Sequence, residues 1–138
     1  MKLVNRAYRV DTQDVTDLAI DVNVQIGGFT EKFTSAFLFV QWAFGFDNAH
    51  SWYEFIVSED LRYEPHYTVV TAAIKWCEGS SCQTLGCDNF KTDGTKSFTS
   101  NYMEEHWKEA WKDAVASAKV RIQLGYLKGV KIVEDDNE

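Results

Sequence analysis

Cys77, Cys82 and Cys87 stand at equal spacing, Cys-x4-Cys-x4-Cys. Three thiolates with His106 or His66 as a fourth ligand could hold a zinc ion and order the chain around it. The spacing speaks against this, because structural zinc sites usually carry a two-residue gap in at least one pair. Three reduced thiols are the expectation, with Cys77, Cys82, Cys87 and His106 as metal candidates only and no cofactor expected. An internal disulfide would leave one of the three thiols over.

The three histidines, His50, His66 and His106, sit in no catalytic signature. A nucleophilic pair such as Cys77 with His50 or His66 would need a closeness that spacing alone does not supply. Asp47, His50 and Glu54 could form an acid–base or metal cluster, but an aspartate in a turn more often caps its own backbone. Gly27-Gly28 is no phosphate loop, since neither a helix nor a lysine follows. Trp107 and Trp111, four residues apart, fit one buried helical stripe better than a cofactor platform. No catalytic residue is assigned.

The elements that must position these residues begin with Leu18–Ile26, which alternates apolar and polar and meets Gly27-Gly28. This reads as the first arm of a β-hairpin whose turn needs positive φ, with Ile26 facing Phe29, Val22 facing Phe33 and Leu18 facing Phe37. The second arm is expected to run from Phe29 to Phe46 and to be apolar on both faces. Lys2–Val10 fits an edge strand, and Ser51–Val57 a strand joined to that hairpin, with Tyr53, Phe55 and Val57 on one face. Tyr67–Cys77 follows as another two-sided strand. Residues 78–97 are then expected to form a long polar insert.

Asn101 and Glu104 make a capping box, and Met103, Trp107, Trp111, Val115, Ala118 and Ile122 recur at helical steps. Gly125 can close that helix in a left-handed cap. Leu127–Val133 fits a short last strand before the acidic tail 134–138. The expected fold is therefore a single α+β domain over residues 1–138. It is an antiparallel, curved meander of four to six strands with one long C-terminal helix packed on it. In that arrangement the strands carry more apolar surface than one helix can shield, so the second face is expected to curl over on its own side chains, pair with a second subunit or receive another molecule.

Composition sets the bounds on function. The chain is 45% apolar and 14% aromatic over 138 residues, enough to fill one core. Its longest apolar stretch is about half the ~20 residues a membrane helix needs, and residues 1–20 lack a leader's apolar run, so the cytoplasm is expected. Fourteen basic against 21 acidic residues leave a net charge of −7, and no lysine or arginine lies between Phe33 and Ser58. That argues against nucleic acid and for a basic protein partner. The profile suits a non-enzymatic inhibitor, immunity or counter-defence protein, with a homodimer possible. Its expected contact residues are acids flanking aromatics: Asp47, Glu54, Glu59, Asp60, Tyr63, Asp88, Phe90 and Asp93. The rival classes are a small-ligand binder or small enzyme with an aromatic pocket between sheet and helix, and a subunit of a virion or other assembly.

Overall fold

Glycines with positive φ and side chains that reach helix ends decide where the elements of this chain start and stop. The computed structural model describes residues 3–10, 17–45, 51–60, 67–92 and 100–133, with backbone alone at some of these. Its elements are β1 (Leu3–Val10), β2 (Ala19–Ile26), β3 (Phe29–Ser35), α1 (Ala36–Phe44), β4 (Ser51–Asp60), β5 (Tyr67–Glu78), β6 (Ser81–Thr92), α2 (Ser100–Gln123) and β7 (Val130–Val133). The fold is α+β. Among the described residues the strands divide into two antiparallel sheets, one of four strands in the order β1-β4-β5-β6 and one of three in the order β3-β2-β7.

The hairpin β2–β3 has the expected register at its tip, with Ile26 opposite Phe29 and Val22 opposite Phe33. Gly27 takes a φ of +59° at the first turn position, the conformation that a glycine-led two-residue turn requires. Two expectations fail beyond this point. A register shift between Ala19 and Val22 ends the ladder at Ala19 opposite Ser35, and Ala36–Phe44 is a helix, not the continuation of a strand. The segment is apolar on every side, so its periodicity is silent. Its caps decide instead. Ser35 accepts a hydrogen bond from the Leu38 N–H at 3.1 Å, and Gly45, with a φ of +73°, donates its N–H to the Gln41 carbonyl at 2.8 Å. With these residues helical, Ala36, Phe39, Val40 and Ala43 are buried in the core. The surplus of strand surface inferred from the sequence is thereby removed.

Strand β4 belongs to the four-stranded sheet, between β1 and β5, and not beside the β2–β3 hairpin. The supposed insert 78–97 is corrected as well: Ser81–Thr92 is strand β6, joined to β5 by a tight turn with Gly79 at a φ of +63°. Cys77 and Cys82 face each other across this turn and are joined by a disulfide, which replaces the expected reduced pair and leaves Cys87 as the free thiol.

Helix α2 packs against β5 and β6 and also against α1 and β7. Its buried stripe comprises Trp107, Ala110, Trp111, Ala114, Val115, Ala118 and Ile122, close to the stripe read from sequence. Trp107 and Trp111 meet Tyr53 edge-to-face at 5.4 and 6.0 Å between ring centroids, and Trp111 also meets Phe37 of α1 at 5.9 Å. Each tryptophan withdraws roughly 150–250 Å² from water, an upper-bound contribution of about 4–6 kcal/mol. Gly125, with a φ of +85°, closes α2 as expected.

Candidate functional site between β6 and α2

A bulge sets the site. Ile74 pairs with Gly86 but Lys75 pairs with Thr84, so Leu85 is the extra residue and both Leu85 and Gly86 turn inward. Helix α2 comes so close here that a Cβ on Gly86 would lie 2.5 Å from both the Ala110 carbonyl oxygen and the Ala114 nitrogen. Alanines on the helix and glycine on the strand together permit that approach. Asp113, one residue before Ala114, accepts the Cys87 N–H at 2.9 Å.

Alternation then carries Asp88 and Phe90 to the helix side of the sheet, opposite Ala72 and Val70. One helical turn before Ala110, His106 meets both. Its Nδ1 lies 2.8 Å from Asp88 Oδ2, and its ring stacks on Phe90 with centroids 3.5 Å apart and planes 8° from parallel. A carboxylate only accepts, so Nδ1 carries the donated proton, and in the neutral ring the lone pair belongs to Nε2. Asp88 and His106 are each about a quarter exposed, enough to be reached from solvent yet held in place.

These three residues line an open groove of about 400 Å³ together with Glu105, Lys108, Glu109 and Lys112 of α2. Lys112 Nζ lies 3.0 Å from Glu109 Oε1, and Lys108 Nζ 3.9 Å from Glu104 Oε1. With Glu104 beside Lys108, four carboxylates stand against two ammonium groups, two units negative while His106 is neutral. Such a wall can take a cation, stack a flat group, or move a proton at Nε2.

Of the expected contact residues, the structure brings Asp88 and Phe90 together and adds His106, which the sequence had suggested only as a metal ligand. Glu54 lies elsewhere: it pairs with Ala73, one position off Tyr53, and so belongs to the opposite face of the sheet. Asp47, Tyr63 and Asp93, with His50 and His66, lie outside the described residues, and only the backbone of Glu59 and Asp60 is described, at the end of β4. Of the metal candidates, Cys77 and Cys82 are bonded to each other and His106 is engaged by Asp88. No group of metal-binding side chains occurs among the described residues. The Cys87 thiol is pushed up in pKa, first by burial and then by the charges of Asp113 and Asp88, with Lys75 opposing. Sequence reasoning missed Glu105, Lys108, Glu109 and Lys112 as a group, although their i, i+3, i+4, i+7 spacing places them on one helical flank, with Glu109 three residues from His106.

No family model, curated protein or solved structure matches this chain.

Proposed function

We propose that this protein acts by binding, without catalysis, and that it engages a basic protein partner through the groove between β6 and α2. The supporting observation is the Asp88–His106 pair, 2.8 Å apart and stacked with Phe90, in an open groove beside Glu105 and Glu109. A net charge of −7 speeds encounter with a basic surface, and a held carboxylate beside a flat ring suits a guanidinium, which bonds in its plane and stacks on its face. An inhibitor, immunity or counter-defence protein works in this manner. Location follows the redox state. With Cys77–Cys82 bonded the chain suits an oxidising compartment, and with both thiols reduced it suits the cytoplasm. No helix among the described residues is long and apolar enough to cross a membrane.

Selection of a random displayed peptide library on the purified protein tests the proposal. Arginine- and lysine-bearing sequences should be enriched, with retention lost at high salt and in Asp88→Asn. Enrichment of acidic or purely apolar sequences, or equal retention by Asp88→Asn, would contradict it. The same pair supports a second reading, a small-ligand binder or enzyme, because an imidazole held at Nδ1 by a carboxylate can take up a proton at Nε2. A metabolite that raises the melting temperature of wild type and not of His106→Gln would favour that reading.

A further inference from the structure

We infer that His106 gates the groove by proton: the cationic partner is held while the ring is neutral and released when it is protonated. The inference rests on the binding reading above and concerns its regulation. Asp88 faces His106 from β6 at 2.8 Å, while Glu105, Lys108, Glu109 and Lys112 share the groove from α2. On β5, directly behind Asp88, stands Ala72, which carries no charge.

With neutral His106, Lys108 and Lys112 sit against Glu104 and Glu109, and the charges of Asp88 and Glu105 are left to the groove. A second proton on the ring halves that charge and turns Asp88 into the partner of an imidazolium, so an incoming guanidinium meets a cation already beside the carboxylate it would bond. Phe90 reinforces the effect, since the face of its ring lies on His106 and attracts the ring more strongly once it is charged. Histidine as a residue type changes charge between about pH 5 and 8, which sets the span a test must cover. By linkage, the bound cation must in turn make His106 harder to protonate.

The test is calorimetric titration of a blocked Gly-Arg-Gly-Arg-Gly peptide into the full chain at about pH 7.5 and about pH 5.5, towards the two ends of that span. Wild type, His106→Gln and Asp88→Asn are compared. Wild-type affinity should fall about threefold to fivefold on acidification, the size of effect one lost charge contact produces at a partly exposed site, while His106→Gln changes little. A measurement needing no variant is the nuclear magnetic resonance titration of the His106 ring in wild type. Saturating peptide should move its midpoint to lower pH. If the peptide binds through Asp88 but equally at both pH values, with an unmoved ring titration, the gate is refuted and the groove stands. If the peptide fails to bind at neutral pH, or binds Asp88→Asn as well as wild type, the groove reading falls and the gate with it.

Discussion

Asp17 and Arg121 hold the two ends of α1 from far away along the chain. Asp17 Oδ1 accepts the N–H groups of Leu18 and Phe37 at 2.8 and 3.0 Å, and its Oδ2 accepts the Ser35 hydroxyl. A carboxylate at the positive end of a helix is favourable, and here it also joins the chain before β2 to the helix after β3. At the other end Arg121 donates from Nε to the Ala43 carbonyl at 3.0 Å, with its guanidinium over the rings of Phe44 and Tyr126. Asp17→Ala should therefore cost about 1–2 kcal/mol in urea unfolding. Neither contact was legible in the sequence, since nothing local marks a cap supplied from a distant segment.

Tyr53 gives a second prediction at this scale. Burial, and then the charge of Asp17, push its pKa well above the ordinary tyrosine value of 10.0. The folded state thus keeps the phenol proton longer than the unfolded chain does. Between the two values it binds more protons than the unfolded state, so stability declines as pH rises through and above 10.0 and is intact below it. The decline should be shallower in Tyr53→Phe, as measured by urea midpoints across alkaline pH.

At the scale of elements, what could be read was what alternation or helical spacing announces. Leu18–Ile26 kept its alternation and gave the hairpin tip, and the tryptophan stripe of α2 stood at helical steps because that helix is polar on its outer side. Ala36–Phe44 offered no such contrast. Its low content of β-branched residues, Val40 alone, together with Ser35 before it and Gly45 after it, was the readable helix signal. Strand β6 was hidden because its polar residues resemble a loop. The Gly79-Ser80 pair between Cys77 and Cys82 was the hairpin signal there.

Two predictions belong to these elements. Gly86→Ala should destabilise by about 3 kcal/mol, because the added methyl meets helix backbone that cannot swing aside. A melting temperature equal to wild type would mean that α2 lies farther from β6. Thiol counting in denaturant should find one reactive cysteine per oxidised chain, Cys87, and three after reduction.

For the whole molecule, the net charge and the absence of basic residues from Phe33 to Ser58 were plain in the sequence, and they led to the expectation of a basic partner. The place proposed for that contact was only partly legible. Asp88 and Phe90 were singled out as an acid beside an aromatic, but they were assigned to an insert together with residues such as Glu54 that the sheet turns to its other face. His106 joins them because the bulge at Leu85 and the bare Cα of Gly86 let α2 settle on β6, a tertiary consequence no short motif carries. The same settling shapes the groove. Truncating Trp107 to alanine should accordingly cost about 3–5 kcal/mol and also weaken peptide binding, since α2 would lose its seat on the sheet.

The most direct measurement is a backbone amide chemical-shift map of the isotope-labelled chain, titrated with a basic peptide recovered by selection. Shifts concentrated on Gly86–Phe90 and on Glu105–Lys112, and abolished in Asp88→Asn, are the predicted result. Shifts centred on Glu54 and the opposite face of the four-stranded sheet, or unchanged in that variant, would contradict it.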